Sequence, residues 1–171
     1  LISGVHDLLP NRVGGAALQK NLETLGDIQY TQEEIDFALE LQRNNGKPEI
    51  GIDGKIRPLR ETLNSPGGGS TDSGDVSYNV PVVSLAATTA PKGVPWHSWS
   101  VVASSGMSIG HKGMLHAAKA LGMTMVDIFK DSKLRENIKK EFDEKIGEYE
   151  YDPYLDPGPV SYTHLTLPTK G

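Results

Sequence analysis

The chain has no cysteine among its 171 residues. Disulfides and thiolate metal sites are therefore excluded, and a metal could be held only by histidine, aspartate or glutamate. Basic runs are also missing, and the formal net charge is -5. That balance argues against a nucleic-acid partner or an anionic membrane surface. No apolar run approaches the ~20 residues of a membrane-spanning helix. The opening residues do not read as a secretory signal, so a cytoplasmic protein is expected. No internal repeat occurs. The length suits one domain with its own core, or a piece of something larger.

Aromatics are scarce, at 6% of residues. The chain's two tryptophans both lie in the stretch GVPWHSWS, where Trp96 and Trp99 bracket His97. LISGVHDLL reads as a strand stopped by Pro10-Asn11. Leu18, Leu22 and Leu25 then recur at helical spacing, with Gly26 as a stop. Thr31-Gln32-Glu33-Glu34 is a capping box: a Thr31 hydroxyl at the N-cap and a Glu34 carboxylate reaching back. The helix it opens carries Ile35, Ala38 and Leu39 on its apolar stripe and ends at Asn45-Gly46. Residues 47–65 are broken repeatedly by Pro48, Gly51, Gly54 and Pro58 and read as loop with at most a short strand. PGGGSTDSGD (66–75) is a Gly-rich turn region. VPVVSLAATTA (80–90) is apolar on both parities, like a strand buried on both faces. A helix of about five turns begins near Ser108, with Leu115, Ala118, Leu121, Gly122, Met125, Ile128 and Phe129 at helical spacing. Asp131-Ser132 caps a more polar helix whose face is Leu134, Ile138, Phe142 and Ile146. EYEYDPYLDPGPV is read as coil, and Tyr149, Tyr151 and Tyr154 as part of a loose tail.

Three features could carry chemistry. The Gly-rich segment could cradle a ligand, because glycines let backbone N–H groups approach an anion. It lacks the Lys of a phosphate-binding loop, and on its residues alone it reads first as a flexible turn in which Asp72 or Ser73 caps a short helix. His97 could bind a metal through one ring nitrogen, but zinc takes three or four protein ligands. Its only plausible carboxylate companions are Asp72 and Asp75, and packing between indoles is the alternative. His111 sits in a helix first turn, where the dipole disfavours its charged form. His116 is read as packed on that helix. His6 and His164 are set aside. The KKEFDEK run reads as a solvated face with i,i+4 pairs.

SGVHDLLPN, GGGSTDSGDVSYNVP and GVPWHSWSVVASSGMSIGHKGMLHAAKAL together resemble the M-twenty family of metallopeptidases and amidohydrolases, and within it the aminobenzoyl-glutamate hydrolases. The resemblance spans roughly residues 3–150 and is most specific from Ser70 to Ala120. It implies an α/β fold: the returning C-terminal part of a layered αβα zinc-peptidase catalytic domain, with the lid domain nearly absent. Residues 1–9 would end a lid and dimerisation strand, and 10–150 would be the C-terminal part of the catalytic domain. Residues 151–171 would be a coil tail, in which VSYTHLTLPTKG (160–171) resembles translated adapter sequence.

The implied activity is zinc-dependent hydrolysis of the amide bond of N-acyl amino acids such as aminobenzoyl-glutamate. His97 stands where the family's final metal ligand falls, after a core strand, with Trp96 and Trp99 as a wall around it. Gly69, Ser70, Thr71 and Asp72 match the family's substrate-lining loop, with Asp75 supporting it. The family's His-x-Asp and Glu-Glu pairs do not occur in usable context, since Glu33-Glu34 opens a helix. No catalytic residue is therefore assigned, and the chain is expected to be a fragment without activity of its own. One or two zinc ions, a small N-acyl amino acid substrate, and a homodimer or hetero-oligomer formed through the lid are the expected cofactor and partners. The alternative is a non-catalytic accessory or binding subunit of the same fold.

Overall fold

The computed structural model describes residues 4–59 and 71–154. Within them the chain forms six helices: α1 Arg12–Leu25, α2 Gln32–Asn44, α3 Ser73–Ser77, α4 Trp99–Ser105, α5 Ser108–Lys130 and α6 Ser132–Ile146. α1 packs against α5 and α6, and α5 in turn packs against α4 and α6.

The helices begin where local chemistry directs. Asn11 is the N-cap of α1: its Oδ1 accepts from the Gly14 amide at 2.8 Å, while its Nδ2 donates to the Ile138 carbonyl at 2.8 Å. One buried side chain thus starts α1 and ties it to α6. Pro10-Asn11, expected to stop a strand, also starts a helix. The α2 capping box is complete, with the Glu34 amide on Thr31 Oγ1 at 3.3 Å and the Thr31 amide on the Glu34 carboxylate at 2.7 Å. Asp131 caps α6 through the Leu134 amide.

Glu34 does more than cap. Its side chain is 7% exposed and takes a 2.6 Å hydrogen bond from Lys112 on α5. Burial pushes its carboxyl up, but hydrogen bonds from Lys112, Ser108 and the Thr31 amide outweigh that and hold it at about 2. Nearby Tyr30 is pushed up to about 12 by burial and by the charges of Glu34 and Asp53.

The core is small. Leu18, Ala38, Leu41, Val94, Ile109, Ala120 and Ile138 are buried. α5 presents Gly110, Gly113, Ala120 and Thr124 inward, while Met114, Leu115, Leu121, Met125, Val126 and Phe129 stay exposed. The close approach of this helix to the chain around Thr88 requires glycine: a Cβ on Gly113 would collide with the Thr88 carbonyl oxygen. Small residues set the packing distance, so the bulky face is left outward.

The expected layered α/β architecture is not formed. Helices make up 55% of the described residues, and among these there is no sheet. The expected strand at 1–9 is not formed where described, and the one at 80–90 makes only a single parallel bridge, Val82 with Pro10. The physical reason lies in pairing. β-branched, two-parity apolar sequence favours extended backbone, but a sheet also needs neighbours to complete its ladder. Among the described residues, the backbone groups of 83–87 find no hydrogen-bond partner. This stretch borders an open hollow of about 740 Å³, walled on its other sides by α1 and the loop at 53–59. The segment at 47–59 is loop throughout, anchored where buried Gln42 bonds the Gly51 amide, the Gly51 carbonyl and the Lys92 carbonyl, each at 2.8 Å.

Candidate functional site

Of the four substrate-loop residues read from the sequence, Gly69 and Ser70 lie outside the described residues, and Thr71 and Asp72 lie within them. Both are exposed. Thr71 Oγ1 accepts from the Ser73 amide at 3.3 Å, and its carbonyl accepts from the Gly74 amide at 3.1 Å. The chain turns directly into α3. Asp72 occupies the N-cap position of α3, but its side chain makes no capping bond. Apart from a long 3.5 Å bond from Thr71 Oγ1, its carboxylate faces solvent and is available as an acceptor.

α3 has five residues, far too few to persist on propensity alone. Its stability comes from a distant segment. Asp75 Oδ1 accepts from His6 twice, from the ring Nδ1 at 2.7 Å and from the backbone amide at 3.2 Å. The Leu9 amide donates to Ser77 Oγ at 2.8 Å, and Ser77 Oγ donates to the Gly74 carbonyl at 2.5 Å. Gly74 presses on the same segment, where a Cβ would collide with the His6 carbonyl oxygen. Here glycine is required by close approach.

The imidazole of His6 is then enclosed by tyrosines. Its Nε2 meets the Tyr149 hydroxyl at 2.9 Å. Tyr154 stacks on it, with centroids 4.2 Å apart and planes within 8°. Tyr78 and Tyr151 tilt against it at 5.1 and 5.3 Å. The His6 side chain is 7% exposed. Hydrogen bonds from His6, above all from its ring, hold the Asp75 carboxyl below the usual carboxylate range, against the opposing effect of burial. Tyr151 is pushed up by burial and by the charge of Asp75. Sequence reading missed this cluster by discounting both ends of the chain. A signal existed: four of the six tyrosines gather on one histidine, three of them in the short run Tyr149 to Tyr154.

His97 is presented differently. It is exposed and adopts φ 59°, a left-handed backbone uncommon for a side chain with a Cβ. The turn is held by Ser98 Oγ donating to the Pro95 carbonyl at 2.6 Å, and it leads into α4. No hydrogen bond or ring contact engages the imidazole among the described residues. Trp96 and Trp99 are 71% and 56% exposed, so in this chain they do not close a dry wall around it. Trp96 and His116 line the 740 Å³ hollow, whereas Thr71, Asp72 and His97 do not. Among the described residues no group of three or more metal-binding side chains converges. These residues therefore offer single donors and do not by themselves make a zinc site. Asp75, read as a possible companion of His97, is engaged by His6.

Similarity to a known protein bears on what this arrangement serves. The chain is 32% identical, over 183 aligned positions, to a subunit of p-aminobenzoyl-glutamate hydrolase from Escherichia coli (strain K12). The match takes in 93% of the chain. The chain belongs to this group of hydrolase subunits. It spans 37% of the length of that relative. No family model matches the chain, and no solved structure does. The group membership agrees with the resemblance carried by the GGGSTDSGD and GVPWHSWS motifs. Among the described residues, no helix is long and apolar enough to cross a membrane.

Proposed function

We propose that the chain supplies the substrate-binding part of an amidohydrolase acting on N-acyl amino acids of the aminobenzoyl-glutamate type. The observation that carries this reading is the 32% identity, over 93% of the chain, to a hydrolase subunit named for that substrate. In this reading Gly69 to Asp72 line the substrate. The Thr71 hydroxyl donates to a substrate carbonyl or carboxylate oxygen. The Asp72 carboxylate, free of capping duty, accepts from the amide N–H and repels a misplaced acid group. His97, with no partner of its own among the described residues, is proposed as one donor to a divalent metal, zinc first. Further donors would come from outside the described residues. Assembly with further polypeptide is proposed with it, because the relative is named as one subunit of its hydrolase.

The test is calorimetric titration of p-aminobenzoyl-glutamate into the chain, with zinc present and product release followed in parallel. Binding weakened about tenfold by Thr71→Val and by Asp72→Ala supports the loop assignment, the scale of one charge-assisted hydrogen bond. Absence of binding removes it. The chain alone is expected to release no p-aminobenzoate. In the full-length protein, zinc uptake that falls in His97→Ala supports the ligand role, and unchanged uptake ends it. Binding without turnover even in an assembled complex would favour a non-catalytic binding subunit.

A further inference from the structure

We propose that His6 is a positioning residue for substrate capture: it pins Asp75 and α3, and thereby sets Thr71 and Asp72, while Tyr149 pins His6 in turn. The proposal rests on the substrate reading of the loop and adds a residue which that reading does not contain.

Four observations converge on it. Both ring nitrogens of His6 are committed, one to Asp75 and one to the Tyr149 hydroxyl. The backbone amide of the same residue bonds the same Asp75 oxygen. Gly74 sits so close to the His6 carbonyl that no side chain fits between them. The ring itself is shielded by Tyr154, Tyr78 and Tyr151, which holds it in place against Asp75. A residue that merely filled a core would not need to satisfy a carboxylate two residues into a five-residue helix. α3 is too short to persist on its own few internal bonds, so its geometry leans on the tie. Thr71 and Asp72 are joined to α3 by backbone bonds, Gly74 to Thr71 and Val76 to Asp72. Movement of Asp75 would therefore reach the two exposed side chains directly.

The neutral imidazole can satisfy both partners at once, donating from Nδ1 to Asp75 and accepting at Nε2 from Tyr149. This arrangement makes the C-terminal strap Glu148–Tyr154 part of the loop's support, at a sequence separation of 143 residues between His6 and Tyr149.

The experiment compares the full chain with His6→Phe, which keeps an aromatic ring but loses both bonds, and with Tyr149→Phe, which deletes one hydroxyl. Amide hydrogen exchange and p-aminobenzoyl-glutamate affinity are both measured. The expected result is exchange about tenfold faster at Gly74, Val76 and Tyr78 in His6→Phe, with α5 and α6 unchanged and affinity lowered in step. Tyr149→Phe should show the same pattern more weakly, and it guards against a failure of His6→Phe to fold. Exchange that rises everywhere alike, or nowhere, overturns the proposal, since it marks a merely structural histidine. Localised exchange with unchanged affinity also overturns it. If the wild-type chain binds no probe, the substrate reading of Thr71 and Asp72 fails. Localised exchange would then still show His6 as the pin of α3, and uniform exchange would remove that too.

Discussion

The helical block and the loop half of the molecule are started by different means, although long-range bonds tie both. α1, α2 and α6 each start at a side chain that caps its own first turn: Asn11, Thr31 with Glu34, and Asp131. Their instructions lie within four residues of where they act. α3 and the Gly4–Leu9 segment have no such local anchor. They depend on His6 reaching Asp75 across 69 residues and Tyr149 across 143. A locally directed region can form early and tolerate surface change. A region made of long-range ties forms once both partners are present, and comes loose in one step.

The largest test of this contrast is Gly74→Ala. The added methyl would collide with the His6 carbonyl, a backbone atom that cannot swing aside. A cost of about 3 kcal/mol is expected. It should fall on the loop half: the near-ultraviolet tyrosine signal should collapse while far-ultraviolet helicity holds. Equal loss of both would break the comparison.

The helical block can be probed through Glu34. Lys112→Met leaves its buried carboxylate with only the Thr31 amide and Ser108, at a cost of about 2 kcal/mol, and here helicity and stability should fall together. The pH dependence has a definite sign. The folded carboxyl lies at about 2, below its ordinary value of 4.5. Its contribution is therefore complete above pH 4.5 and is lost as pH falls from there towards 2. Glu34→Gln should flatten this acid limb in a denaturant series, and an unaltered limb would assign it to other carboxylates.

The smallest effect is expected from Lys139→Ala. Its pair with Asp143 is i,i+4 on α6, with side chains 72% and 52% exposed. A change below about 0.5 kcal/mol is expected in thermal unfolding. A larger one would mean that the solvated face of α6 contributes more than its geometry indicates.

The same contrast explains what could be read in advance. The capping box, the existence of the long α5 and the face of α6 were legible because each is written at i, i+3 and i+4 spacing, but the apolar stripe read for α5 is largely its exposed side, since the helix packs through Gly110, Gly113, Ala120 and Thr124. The short α4 was not, because Trp99, Val101 and Val102 carry no helical preference and no side-chain cap marks its start. Val80 to Ala90 was read as a strand buried on both faces, but it joins no sheet and none of its residues is buried, because pairing and covering layers could not be read from its own residues. Extended backbone is a local property, and a sheet is a collective one. For the site, the family resemblance, not any spacing, singled out Thr71, Asp72 and His97. The run Tyr149 to Tyr154 was visible in the sequence, but its assembly on His6 was not, because the members come from residues 6, 75, 78 and 149–154.

The left-handed turn at His97 gives the mutagenesis an unusual internal control. Alanine at φ 59° keeps the backbone strain of histidine, whereas glycine adopts that conformation freely. His97→Gly therefore removes the imidazole while relaxing the turn that carried it, by about 1 kcal/mol. For most histidines a substitution that abolishes metal uptake leaves open whether the ligand or the fold was lost. At this position the two effects point in opposite directions, since the turn is made more secure while the ring is lost, so the proposed zinc role of His97 would be tested apart from the fold.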